Sequence, residues 1–123
     1  MIKYNQLYQS LKKVHGEWHA GHVEWGYIWN YLKFYNDGTV IYCSSTDHDF
    51  IKINSWFDKD KKDVFLYKGQ FRIENGFRIF LNIPVSIGQL EMDGGIQGNS
   101  IILKSTNKEL NHIDNWDEYT CVG

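Results

Sequence analysis

The sequence predicts an all-β domain: an eight-stranded antiparallel up-and-down barrel, closed on itself, preceded by a short N-terminal helix. Three observations predict it. Apolar and polar residues alternate with a period of two through most of the chain. Short turn signals separate the alternating runs. The composition suits strands and tight turns, with seven Phe, eight Tyr, five Trp and 11 Gly but a single Pro in 123 residues. Aromatic side chains bury large areas on a pleated surface, and glycine supplies the backbone that turns demand. The length fits one domain, residues 1–123, and leaves no room for a second.

Residues 4–15 read as the helix, because Tyr4, Leu7, Tyr8, Leu11 and Val14 fall at i, i+3, i+4 spacing and Gly16 stops the run. The barrel then occupies residues 17–122. Its first strands are Glu17–Trp25 and Tyr27–Tyr35. Asn36-Asp37-Gly38 forms a three-residue loop with a glycine bulge, which sets Leu32 and Phe34 on the same face as Val40 and Tyr42 of the strand Thr39–Ser44. Residues 47–63 break the alternation. Phe50, Ile53, Trp56 and Phe57 share a helical face behind Asp47 and Asp49 as caps, which predicts a short helix across one barrel end; alternation of Ile51, Ile53, Ser55 and Phe57 offers a strand instead.

The middle hairpin joins Phe65–Ile73 to Phe77–Ile83. Phe65, Tyr67, Gly69, Phe71 and Ile73 form one inward face, and Phe77, Ile79, Leu81 and Ile83 the other. A two-residue Asn-Gly loop mixes these faces. A three-residue loop, Glu74-Asn75-Gly76, pairs Ile73 with Phe77 and Phe71 with Ile79, and so keeps them together. It also sets Arg72 opposite Arg78 on the outside. Met92–Gln97 and Ser100–Ser105 pair around Gly98-Asn99, aligning Ile96 with Ile101 and Gly94 with Leu103, and Trp116–Val122 is the last strand. Consecutive hairpins leave two open edges unless the first and last strands meet, so closure is expected.

Two segments resemble a known family. Gly16-Glu17-Trp18, behind a helix and ahead of strands, is similar to the Gly-x-Trp signature opening the first strand of lipocalins and related calycins. Tyr31-Leu32-Lys33-Phe34-Tyr35-Asn36-Asp37-Gly38-Thr39-Val40 resembles a segment of lipocalin-like domains in bacterial proteins and in the C-terminal part of some F-box proteins. The resemblance implies a lipocalin-like barrel and brings no particular chemistry with it.

Function is less legible. The net charge is −2, and Lys59, Lys61 and Lys62 alternate with Asp58, Asp60 and Asp63, so no basic stripe exists for nucleic acid. No apolar run approaches a membrane span and no signal peptide opens the chain, which points to the cytoplasm, with Cys43 and Cys121 as reduced thiols. On a strand, His19 and His22 face opposite ways, and His15 sits at the helix end, so no metal site is expected; His48 and His112 are loop residues. No carboxylate pair, activated Ser or activated Cys is visible, so no catalytic residue and no cofactor are assigned.

Binding is the expected activity. Phe34, Tyr42, Tyr67, Phe71, Ile79, Met92, Ile101 and Tyr119 point inward, where they either fill a core or line a pocket for a small hydrophobic molecule, with the tyrosine hydroxyls as handles. The alternative is a protein-interaction module, such as a neutralising, immunity-type partner of another bacterial protein, acting through its outer face. Arg72 and Arg78 either find relief from Glu74, Gln70 or Asn82, or receive an acidic group of that partner. Trp29, Tyr31, Tyr35 and Phe80 are expected to be exposed, as an interface or homodimer patch. An enzyme hosted in the cavity is the third reading.

Overall fold

Period-two alternation sends successive side chains to opposite sides of a wall. In the computed structural model, which describes residues 2–17, 23–45, 50–57, 66–109 and 112–122, that wall is a closed antiparallel barrel. The strands are β1 (Leu7–Glu17), β2 (Val23–Phe34), β3 (Thr39–Ser45), β4 (Tyr67–Glu74), β5 (Arg78–Pro84), β6 (Gln89–Gln97), β7 (Ser100–Asn107) and β8 (His112–Val122), with one helix, α1 (Phe50–Phe57), between β3 and β4. Each strand pairs with the next in sequence, and β8 returns to β1.

The N-terminal helix expected over 4–15 is not there; the segment is strand β1, paired along its whole length with β2 from Leu7↔Lys33 to Glu17↔Val23. The physical reason is that this part of the wall is covered on both sides. Tyr8 points into the barrel and Leu7 points out beneath α1, and both are buried. Two neighbouring buried apolar residues mimic helical spacing, as they do in any strand covered on both faces. Ser10 is buried, whereas Leu11, on the proposed helical face, is half exposed. Gly16 and Glu17 therefore end β1 rather than stop a helix or open a strand, and the Gly-x-Trp resemblance loses its structural setting; Trp18 lies outside the described residues. The strand expected over Glu17–Trp25 instead straddles the junction of β1 and β2.

Hairpin geometry follows the turn chemistry. Gly38 (φ 90°) makes the bulge at the β2–β3 turn, Asp37 Oδ1 accepts from the Thr39 amide at 3.0 Å, and Phe34↔Val40 and Leu32↔Tyr42 pair as the alternation requires. Gly98 (φ 59°) opens a two-residue turn with Ile96↔Ile101 and Gly94↔Leu103 in register. In the middle hairpin the faces are as expected but the register is two residues longer. Ile73 pairs with Ile79 and Glu74 with Arg78, and the loop is Asn75-Gly76-Phe77 with Asn75 and Gly76 both at positive φ. The left-handed pair opens the loop directly after Glu74, so Glu74 stays in the ladder opposite Arg78 and Phe77 becomes the third loop residue, 53% exposed instead of inward.

The interior is filled. Leu32, Phe34, Val40, Ile79, Ile83, Ile101 and Leu103 expose nothing. Near the hairpin turns, Phe34 stacks edge-on with Tyr8 (5.5 Å) and Phe71 (5.0 Å). The N-terminal segment plugs that end: Ile2 joins the core, the Asn5 amide donates to the Phe34 carbonyl at 2.8 Å, and the Lys3 amide donates to Tyr8 Oη at 3.0 Å.

Helix α1 lies on the outer wall, not across a barrel end. Its fully buried Ile53 packs with Leu7, Tyr31 and Cys43, and Lys33 Nζ donates to Asn54 Oδ1 at 3.0 Å. Tyr31, expected in solvent, is accordingly buried, and Trp29 and Tyr35 are half-buried. Cys43 and Cys121 are both free thiols, one under α1 and the other against the interior core. Among the described residues no helix is long and apolar enough to cross a membrane.

Two inward glycines let the wall bend. A Cβ on Gly94 would collide with the Ile102 carbonyl oxygen, and one on Gly69 with that of Asn82. Gly94→Ala is therefore expected to cost about 2 kcal/mol or more by overpacking, against about 1 kcal/mol for Gly76→Ala, which has open space but a positive φ. Urea denaturation of the two variants checks the order.

Burial also pushes the Cys43 thiol up to about 11. The native state then keeps a proton that the unfolded chain loses from about pH 8.5 upward, so the associated stability is intact below that range and is lost as pH rises toward 11. Stability measured from pH 7 to 10.5 should fall less steeply in Cys43→Ala than in the parent, by on the order of 2 kcal/mol at the alkaline end.

Candidate ligand-binding site

The eight inward residues named from the sequence all meet one interior. Phe34, Ile79, Met92, Ile101 and Tyr119 are buried in its core, and Tyr42, Tyr67 and Phe71 are half-buried against it. They do not form one pocket. Phe34 and Phe71 belong to the plugged apolar end, and Ile79, Met92 and Ile101 to the packed middle. Tyr42, Tyr67 and Tyr119 gather at the other end, which is polar.

Register builds that polar end. Asn30 pairs with Ser10 on β1 and with Ser44 on β3, so three inward polar residues lie side by side on adjacent strands. Ser44 Oγ donates to Asn30 Oδ1 at 2.7 Å, and Tyr42 Oη lies 2.8 Å from Ser44 Oγ and 3.4 Å from Asn30 Oδ1. Because Ser44 has spent its one proton on Asn30, Tyr42 is the donor to Ser44. Across the opening, Tyr67 Oη lies 2.8 Å from Ser86 Oγ, and the Tyr42 and Tyr67 rings stand 6.3 Å apart. Ser44 and Ser86 are exposed, so this end meets solvent.

Tyr119 forms the floor. Its side chain is fully buried and, among the described residues, its hydroxyl has no hydrogen-bond partner. Burial holds its proton on well above the ordinary tyrosine range; nearby Tyr42 and Asp117 add to this, and Asn30 stands near enough to offset part of it. The phenol is therefore a permanent donor. Asn30 accepts from Tyr42 and Ser44 through its carbonyl oxygen, which leaves its amide side toward Tyr119. Burial raises Tyr42 in the same way, offset in part by Ser44.

This end of the barrel is also where the wall parts. Among the described residues strand β1 pairs with β8 over Leu7↔Val122, Tyr8↔Cys121 and Gln9↔Thr120 alone, although β1 runs on to Glu17 and β8 begins back at His112. Ser10 and Tyr119 stand just beyond the last pair.

Sequence reasoning missed Asn30 and Ser44, and the available signal was their place on the inward alternation with Leu32, Phe34, Val40 and Tyr42. A buried polar residue on an apolar face is the informative departure. Arg72 and Arg78 are not opposite each other. Arg72 faces Phe80, and Arg78 faces Glu74 and Gly95. Arg72 Nε donates to Glu74 Oε1 at 3.2 Å, Arg78 Nη2 donates to Asp93 Oδ1 at 3.1 Å, and the two guanidinium groups lie 4.4 and 5.3 Å from the centre of the Phe80 ring. The longer register thus removes the like-charge contact. His19, His22 and His48 lie outside the described residues, as do the side chains of His15 and His112; the backbone of His15 is in β1, not at a helix end. Among the described residues no three His, Cys, Asp or Glu gather around a common point.

No protein-family model, no curated protein and no solved structure matches this chain. The barrel itself is compatible with a lipocalin-like fold.

An unpartnered buried hydroxyl costs about 1–3 kcal/mol. Tyr119→Phe should therefore raise the stability of the ligand-free protein by about 1 kcal/mol, whereas Tyr42→Phe, which breaks a made bond, should lower it. Paired urea titrations read both signs.

Proposed function

We propose that this protein is a non-enzymatic binding domain that takes a small, largely apolar molecule at the polar end of its barrel. The observation that carries this reading is the buried Tyr119 hydroxyl, which has no hydrogen-bond acceptor among the described residues. Buried donors are almost always paired, so an unpaired one marks a place for an acceptor from outside. That acceptor is neutral: Asp117 is close enough to raise Tyr119 further, and a carboxylate there meets its charge. A ketone, amide or ester oxygen fits, with its apolar body against the Tyr42 and Tyr67 rings. Because the middle of the barrel is filled, the guest is small and sits at the mouth. As part of the same proposal, the domain is lipocalin-like and cytoplasmic, where Cys43 and Cys121 stay reduced.

Calorimetric titration with 2-octanone and with octanoate tests the reading. The ketone should bind saturably and at least tenfold more tightly than the carboxylate. Tyr119→Phe should weaken the ketone by about tenfold, since one hydrogen bond is worth about 1 kcal/mol or slightly more. Absence of ketone binding, or an affinity untouched by Tyr119→Phe, sinks it.

A further inference from the structure

The outer wall on the side away from α1 carries a second feature, independent of the barrel mouth. Mostly outward residues of β4 to β8, with Lys108 just beyond β7, enclose an open depression of about 870 Å³. Phe80 lies in its lining and Trp116, 59% exposed, stands at its β8 side. An exposed Trp in such a lining belongs to the residue types most enriched in binding hot spots.

Its charges are unevenly committed. Arg72 is paired with Glu74, and Asp93 with Arg78. Among the described residues Lys104, Lys108 and Glu91 make neither an ion pair nor a side-chain hydrogen bond. The uncommitted charge in the depression is thus two cations against one anion, on a chain whose net charge is −2. Alternation on β7 puts Lys104 outward between inward Leu103 and Ser105, and pairing sets it directly beside Trp116 on one flank and Asp93 on the other. An apolar ring flanked by free ammonium groups matches an apolar side chain flanked by carboxylates.

We propose that this depression docks an acidic segment of a partner protein, an apolar side chain resting on Phe80 and Trp116 and its neighbouring carboxylates meeting Lys104 and Lys108. Arg72, stacked on Phe80, stiffens the floor rather than receiving the partner's charge. A second copy of this chain, a basic segment and nucleic acid are the competing occupants.

Panning a random dodecapeptide display library against the intact protein tests the proposal. Enriched peptides should carry Asp or Glu beside an aromatic or aliphatic residue. A synthetic peptide of the enriched sequence should bind at least tenfold more weakly to Lys104→Glu/Lys108→Glu and to Trp116→Ala, and more weakly at 300 mM than at 50 mM salt, while Ile51→Ala on α1 changes nothing. Circular dichroism spectra matching the parent show that these surface variants fold. Enrichment of basic or uncharged peptides, no enrichment at all, or binding that survives the double charge reversal overturns it. So does a dimer in sedimentation that the double reversal dissolves, which assigns the face to a second copy. Ketone binding at the barrel mouth is unaffected by these variants, so the two readings fail separately.

Discussion

Among the described residues, three pairs close the ring. Where Leu7, Tyr8 and Gln9 meet Val122, Cys121 and Thr120, an open eight-stranded sheet becomes a barrel, and every interior contact depends on that seam. It is short but held from both sides. Tyr8 presses inward on Phe34 and ties its hydroxyl to the Lys3 backbone; Leu7 presses outward with Val122 into the cluster under α1. A seam buried on one face alone would have half this apolar area to hold it, and its unpaired edges would invite other chains.

Covering part of the wall on both faces has a further consequence. Over β1, β2 and β3 the outside of the barrel is itself a core, built from Leu7, Tyr31, Cys43 and Ile53. Lys33 is buried there and meets Asn54 of the helix. Over β4 to β8 the outside stays polar and aromatic, with Phe80 between two guanidinium groups that are each neutralised by a carboxylate. The barrel therefore has one side covered by α1 and another that meets solvent.

The two candidate sites differ in chemistry because one faces the interior of the barrel and the other its outer wall. Inside, where β1 and β8 separate, the groups offered are neutral donors in a water-poor setting, which favours a neutral acceptor. Outside, the groups offered are ammonium ions and rings in water, which favours charge and apolar area together and makes attraction salt-dependent. Three residues along β8, from Tyr119 to Trp116, cross from one chemistry to the other.

Sequence alone determined the class of fold, the faces of the strands from β3 onward and two of the turns, because period-two alternation and the Asn36-Asp37-Gly38 and Gly98-Asn99 signals are local properties of the chain. It also named the three tyrosines of the polar end. Tertiary structure decided the rest. Helical spacing in residues 4–15 gave way to a strand because α1, distant in sequence, covers its outer face. The Arg72–Arg78 contact vanished because the loop begins at Asn75 rather than Glu74, so Glu74 pairs with Arg78 and the register shifts by two. Asn30 and Tyr42 became neighbours of Tyr119 only when β8 came round to β1, since contacts between the ends of a chain depend on closure and leave no trace in any short stretch of residues.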